Sequence, residues 1–420
     1  MKRLWQIYLI YWLCHPGIVS TQTIDEILNR KPQKVSATIA GKITSMAFKR
    51  LGKAQKLMAN ERYSEALKLL NNIEKALAKN PYGLAQVYQT KGYLYAQTDR
   101  LPEAVNSFKK SLALRVLPLD PTLNTMFSLS QVLIAQEKYL EAIPLIQDFI
   151  FNKKNVRPAV YFFYGQVLTQ LSQIADATIW TEKAVAASDT PAESWLRLLV
   201  SLYYEQKAYS KAASTLEQLV LIRSQKRLYW KQLSSVYLAM DQPKKALAVM
   251  ESAYKHGVLT EEKEQIQLIK LSLSYDIPYK AGVYLQTGLT QGSIAKNSKN
   301  FELLADCWIR ARENTRAMSA LSKGAPLAEN GRSFVRLGQL LQEEQNWQKS
   351  AKALKQGIKK GNLKKPGVAY ISLGIALYET GANQAAIDTF KKAQKFTKFK
   401  NQAQQWLNYI ARQNEYSSNF

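Results

Sequence analysis

Residues 370–393 read Tyr370-x-x-Leu373-Gly374-x-x-Leu377, then Ala386-x-x-x-Phe390-x-x-Ala393. Apolar positions three and four apart predict two amphipathic helices, each burying one face. Gly374 and Ala386 lie one on each helix, and small residues there let the two backbones approach closely. A glycine inside an isolated helix costs about 1 kcal/mol relative to alanine, so its place at this phase points to a packing requirement.

Outward from this stretch the pattern recurs. An alanine stands at 66, 104, 142, 177, 212, 246, 281, 317 and 386, with Ser350 in the remaining gap, at intervals of 33 to 38 residues. Twelve residues before many of these comes a small residue: Ala54, Gly92, Ser130, Gly165, Ser234, Ala305, Gly338 or Gly374. Four positions earlier still stand Tyr88, Met126, Tyr161, Trp230, Phe301, Phe334 and Tyr370. Asn60-Glu61-Arg62-Tyr63, Gln136-Glu137-Lys138-Tyr139 and Gln345-Asn346-Trp347 read as the turn inside a unit. Pro81, Pro121, Pro158, Pro191 and Pro366 fall between units, where proline opens a helix. The pattern resembles the tetratricopeptide repeat (TPR), whose period is about 34 residues. HEAT-like repeats run longer, at about 40–47 residues.

The resemblance implies an all-α, right-handed superhelical solenoid of about ten helix-turn-helix units. The expected layout is a signal peptide over 1–20, a flexible or partly helical lead-in over 21–42, the solenoid over 43–400 and a C-terminal capping helix over 401–416. The first unit (about 45–78) and the seventh (about 262–288) match the pattern least well.

The N-terminus carries Lys2 and Arg3, an apolar run from Leu4 to Cys14, and the break His15-Pro16-Gly17 before Ser20. That is the layout of an export signal cleaved near Ser20. The run is short for a membrane span, which needs about 20 apolar residues; an uncleaved signal anchor is the other reading. Removal of residues 1–20 leaves one cysteine, Cys307, and one histidine, His256. A single cysteine forms no internal disulfide, and its setting, Leu303-Leu304-Ala305-Asp306-Cys307-Trp308, is that of a packing residue. The expected location is the periplasm.

Catalytic signatures are missing from the sequence. It has no G-x-x-x-x-G-K-[ST] loop, no H-E-x-x-H and no C-x-x-C, so nucleotide-loop and zinc-site chemistry are not expected. Glu261-Glu262 and Glu343-Glu344 are paired carboxylates in turn or solvent-facing settings. The expectation is a protein that is not an enzyme, with no cofactor and no metal.

Repeat phase places Tyr93, Gln97, Phe127, Gln131, Phe162, Gln166, Arg197, Ser201, Tyr204 and Lys231 on the concave, helix-A side. Aromatics mixed with Gln and Arg suit a groove for an extended peptide or a helix. The plainer alternative is that Phe127 and Phe162 pack between neighbouring helices. The Lys and Asn clamp by which some TPR domains grip chaperone C-termini is not recognisable at the matching positions.

Charge is the second clue. The chain carries 58 Lys+Arg and 32 Asp+Glu, or 56 − 32 = +24 without residues 1–20. Residues 345–420 alone hold 13 Lys+Arg against 3 Asp+Glu, a net of +10. Such a balance attracts acidic partners and anionic envelope surfaces. Nucleic acid is not an expected partner, since no nucleic-acid-binding motif occurs.

Several stretches exceed a generic TPR consensus: Tyr229-Trp230-Lys231-Gln232-Leu233, His256-Gly257-Val258-Leu259-Thr260, Ile277-Pro278-Tyr279-Lys280-Ala281, and Lys296-Asn297-Ser298-Lys299-Asn300-Phe301-Glu302. Leu337-Gly338-Gln339-Leu340 and Gln404-Gln405-Trp406-Leu407 join them. In these the chain resembles exported TPR proteins associated with TonB–ExbB–ExbD systems of gammaproteobacteria. The resemblance implies a periplasmic adaptor or scaffold for energy-coupled uptake of siderophore iron, haem or other nutrients. Its implied partners are TonB, ExbB, ExbD or a TonB-dependent receptor. A TPR scaffold for cell-envelope or peptidoglycan assembly is the alternative, and a holdase or a superhelical wall-cleaving enzyme are further ones.

Overall fold

The computed structural model describes residues 21–36 and 41–418; the expected signal peptide lies outside the described residues. Those residues form 22 α-helices and no strand. They fall into two compact halves, divided after Thr215. The first half holds α1 (Thr21–Leu28) and the pairs α2–α3 (Ser45–Ala59, Tyr63–Ala76) and α4–α5 (Pro81–Gln97, Leu101–Ala113). Then come α6–α7 (Leu119–Ala135, Tyr139–Asn152), α8–α9 (Pro158–Gln170, Ile174–Ala186) and α10 (Glu193–Glu205). The division falls within α11 (Tyr209–Ile222). The second half holds α12–α13 (Arg227–Ala239, Pro243–Lys255), α14–α15 (Glu262–Ser274, Pro278–Gln291) and α16–α17 (Ser298–Arg310, Asn314–Gly324). It continues with α18–α19 (Arg332–Glu343, Trp347–Lys360) and α20–α21 (Pro366–Glu379, Asn383–Gln394), and ends on α22 (Lys400–Ser418). Even-numbered helices from α2 to α20 are the first (A) helices of the ten units and odd-numbered ones from α3 to α21 the second (B). The seventh unit, weakest in sequence, is a complete pair, α14–α15.

Close approach inside each pair explains the repeat. The nine repeat alanines and Ser350 are all fully buried, at 0% exposure. Four residues on, Leu70, Phe108, Ile146, Thr181, Leu285, Leu321, Leu354 and Phe390 are also at 0%. In four units a glycine of helix A lies against that residue. A Cβ on Gly92 would stand 2.5 Å from the Phe108 ring, and one on Gly374 2.5 Å from Phe390. Where helix B presents the smaller Leu70 or Leu321, helix A carries Ala54 or Ala305. A Cβ on Gly338 would likewise stand 2.5 Å from Leu354 and one on Gly165 2.4 Å from Thr181, so a small helix-A residue makes room for helix-B side chains of several sizes. The result is a series of local cores, such as one joining Leu51, Leu70 and Val87 and another joining Leu354, Phe390 and Ile410.

The turn inside each unit also has one conformation. Five residues before each repeat alanine or Ser350, the backbone is left-handed: Glu61, Asp99, Glu137, Ser172, Lys207, Asp241, Asp276, Arg312 and Gln345, with φ from 53° to 60°, and Gly381 at 77°. The next residue's N–H then closes the turn onto a helix-A carbonyl, as in Ala208 to Tyr203 at 2.8 Å. A left-handed side-chain residue costs about 1–2 kcal/mol, partly offset because glycine has more freedom to lose on folding. Lys207→Gly should therefore raise the unfolding midpoint, with a gain of about 0.5 kcal/mol. Gly381→Val should lower it by about 2 kcal/mol, since a β-branched residue fits this region worst. Thermal melts followed by circular dichroism at 222 nm (the helix band, about 222 nm) would check both signs.

Successive units are tied by a recurring polar rung. Five residues after the repeat alanine stand Glu182, Glu217 and Glu251. The Tyr203 hydroxyl donates to Glu182 at 2.6 Å, and Lys211 reaches the same oxygen at 2.9 Å. In the second half the Tyr237 hydroxyl donates to Glu217, and Lys280 meets Glu251 at 3.2 Å. Burial, reinforced by the Glu217 carboxylate, pushes the Tyr237 phenol up to about 12. Burial drives Tyr164 up to about 12 as well, against the Gln147 hydrogen bond. A raised phenol favours the neutral folded form. Its stability is fully present below the unfolded value near 10 and is lost as the pH rises toward 12. Urea midpoints measured from pH 9 to 11 (about one unit either side of the free phenol) should fall, and Tyr164→Phe should flatten that fall.

The lead-in, expected to be flexible or partly helical, opens on the helix α1 and is bonded to the third unit. The Arg30 guanidinium pairs with Asp148 at 2.5 Å and donates to the Pro144 carbonyl at 3.0 Å. The Gln33 N–H donates to Asp148 at 2.7 Å, and Asn152 both accepts from the Val35 N–H and donates to the Gln33 carbonyl. Ile27 and Leu28 pack beside Ile146 and Tyr164. Residues 24–35 thus use α7 as a side-chain hydrogen-bonding rail.

Candidate functional ridge on the A helices

In the first half, neighbouring A helices are joined by polar and aromatic contacts along one ridge. Gln89 of α4 donates to the Thr125 hydroxyl of α6 at 2.7 Å, and the Ser128 hydroxyl donates to that of Tyr93 at 3.4 Å. Tyr93 also meets Phe108 edge-on at 5.2 Å. Phe127 of α6 packs on Phe149 at 4.9 Å and on Phe163 of α8 at 5.5 Å. Phe162 of α8 stacks on Trp195 of α10 at 5.4 Å with 26° between the planes. All three are half-buried. They are an aromatic floor that packs the helices together, as the plainer sequence reading had it for Phe127 and Phe162.

Beside that floor the polar members stand in solvent. Gln97, Gln131, Gln166, Arg197, Ser201 and Tyr204 are exposed. Tyr204 leans edge-on against Tyr209 at 5.5 Å with 49% of its surface open. Each exposed glutamine offers both a donor and an acceptor, which is what an extended backbone needs. The ridge therefore offers amide and guanidinium groups over a rigid apolar base, spread across α4, α6, α8 and α10.

Lys231 stands apart. On α12 in the second half, its ammonium lies 3.2 Å from Glu264, a carboxylate with a side chain only 3% exposed. Arg227 meets the same oxygen at 3.3 Å and Glu261 at 2.7 Å. Neither Glu264 oxygen accepts a well-aligned hydrogen bond among the described residues. The pairing neutralises a buried charge, so Lys231 has a structural task that its repeat phase does not reveal. Sequence reasoning also missed Gln89, Phe163 and Trp195. Phe163 and Trp195 break the phase that selected Phe127 and Phe162, and only the contacts identify them. The paired carboxylates are tied into the scaffold, Glu262 accepting from Asn300 at 2.8 Å and Glu344 from Asn314 at 3.1 Å. Cys307 is buried, and burial beside Asp306 pushes its thiol up to about 12, which keeps it unreactive.

Residues 335–401 and residues 85–115 each match a family model described as tetratricopeptide repeat. No curated protein matches the chain. Similar solved structures include a tetratricopeptide repeat protein from Parabacteroides merdae, 11% identical, covering 71% of this chain and 98% of its own, with a TM-score of 0.39. The C-terminal part of a TPR repeat-containing protein from Cytophaga hutchinsonii is 17% identical over 67% of this chain and 97% of its own, with a TM-score of 0.39. YrrB, a TPR protein with an unusual peptide-binding site, is 13% identical over 44% of this chain and 93% of its own, at 0.34.

Proposed function

We propose, with tetratricopeptide-repeat helix pairs as the premise, that this chain is a non-catalytic adaptor holding an extended segment of a protein partner along α4–α10. One observation carries the reading: solvent-facing Gln97, Gln131, Gln166 and Arg197 stand beside a packed aromatic floor. Such a base does not have to be ordered on binding, which reduces the entropy lost in the complex. Side-chain amides at successive A helices match the spaced backbone groups of an extended peptide.

The partner we propose belongs to a TonB-type energy-transduction system, with the chain exported to the periplasm. The stretches Tyr229–Leu233, His256–Thr260 and Lys296–Glu302 support this by their resemblance to exported TPR proteins of that kind. The test is crosslinked capture of the tagged chain from intact cells, read by mass spectrometry. TonB, ExbB, ExbD or a TonB-dependent receptor should be enriched. Arg197→Ala with Tyr204→Ala should reduce that enrichment about tenfold or more, as loss of central interface residues does, with helicity unchanged. Enrichment of wall synthases, with TonB components at background, would replace this reading with the envelope-assembly scaffold.

A further inference from the structure

One phase of helix B carries charges of either sign in different units; in the second unit it holds Lys109, which pairs with Glu141 at 3.0 Å. Five residues after the repeat alanine, the fourth to sixth units carry Glu182, Glu217 and Glu251, the carboxylates of the polar rungs. In the ninth and tenth units the same phase carries Lys355 and Lys391. Around them, α19 adds Lys352 and Lys359, and Lys395 follows α21. All five lysines are exposed. No Lys or Arg of residues 345–418 forms an ion pair among the described residues, while Lys109, Lys211 and Lys280 on other B helices all do.

This arrangement is unfavourable within the chain itself. Lys355 and Lys359, and Lys391 and Lys395, stand four residues apart, where like charges destabilise a helix. Asp388 is the single acid on α21, against Lys391 and Lys392. An external anion would remove the repulsion. The residue type says which kind. Protein–protein interfaces are depleted in lysine and need a buried apolar centre, and these exposed lysines surround none. Lysine is a mobile, strongly hydrated point charge, suited to a diffuse array of phosphates more than to bidentate recognition. Clusters of four to eight such residues are typical of attachment to anionic lipid.

We propose that the B-helix ridge of the last two units is a docking surface for an anionic lipid bilayer. It lies on other helices than the A-helix ridge. This site does not depend on the partner reading above.

The test is sedimentation of the full chain with vesicles of phosphatidylcholine containing one third phosphatidylglycerol, at about 0.1 M salt, where the Debye length is about 10 Å. A variant carrying Lys352→Glu, Lys355→Glu, Lys391→Glu and Lys395→Glu is compared with one carrying Lys244→Glu, Lys263→Glu, Lys270→Glu and Lys299→Glu, which changes net charge equally. The ridge variant should bind about a thousandfold more weakly than the parent, and the control variant much less so. If the ridge variant loses helicity, Lys→Gln at the same four positions takes its place. Equal losses in both variants would overturn the proposal, because net charge alone would then be acting. So would binding no stronger than to pure phosphatidylcholine. Capture of soluble polyglutamate without capture of vesicles would overturn it in favour of an acidic protein segment.

Discussion

Phe390→Ala should cost about 3–5 kcal/mol, as truncation of a fully buried aromatic does. The ring is at 0% exposure and fills the space above Gly374. It also stacks on Trp406 at 5.6 Å, with 5° between the planes, which holds α22 against the tenth unit. Loss of the ring should therefore free the C-terminal helix as well as open a cavity. Repeat arrays are stabilised by contacts between neighbours, so hydrogen exchange should speed up across 366–418 and stay unchanged across 45–113. The matched pair supplies the control. Gly374→Ala alone places a methyl 2.5 Å from the ring and should cost about 1–3 kcal/mol by overpacking. Gly374→Ala combined with Phe390→Leu recreates the Ala54–Leu70 and Ala305–Leu321 pairing. The double variant should be more stable than Phe390→Ala by about 2 kcal/mol, because the added methyl fills part of the cavity. A double variant no better than Phe390→Ala would mean that the two positions do not share one volume.

Removal of both cations beside Glu264 should be comparably damaging. Arg227→Met with Lys231→Met leaves a 3%-exposed carboxylate with neither ion-pair partner, and breaking a buried pair costs about 3–5 kcal/mol. Adding Glu264→Met should recover most of that loss, since apolar replacement of a whole buried ion pair is often near neutral. Urea unfolding of the three proteins measures both steps. A double variant within about 1 kcal/mol of the parent would mean that solvent reaches Glu264 and that the pair behaves as an exposed one. The comparison also bears on partner binding. If Lys231→Met weakens capture only in proportion to lost stability, Lys231 supports the second half and does not touch the partner.

Other parts of the molecule respond to chemistry that no repeat consensus encodes. Nine of the ten intra-unit turns place a side-chain residue in the left-handed region. Gly381 is the tenth, and of the other nine only Asp99, Asp241 and Asp276 are of a type that favours this region. Likewise, Glu182 and Lys355 share a phase but take opposite roles, a rung between units and an unpaired surface charge.

Much of the architecture was legible in the residues alone. The spacing of Gly92, Ala104 and Phe108, repeated to Gly374, Ala386 and Phe390, determined ten helix pairs and the contact inside each. It could do so because that contact is local, with both partners lying within one repeat. The exposed Gln97, Gln131 and Gln166 also follow from helix phase, since one face of each A helix stays uncovered. Tertiary structure decided what phase cannot carry. It set Arg30 on Asp148, 118 residues away, and so turned a lead-in expected to be flexible or partly helical into a bonded strap. It turned Phe127 and Phe162 into parts of an aromatic floor through Phe163 and Trp195, and it committed Lys231 to Glu264. These pairings join residues in different repeats or outside them, where a period constrains position and leaves the partner's identity to three-dimensional contact.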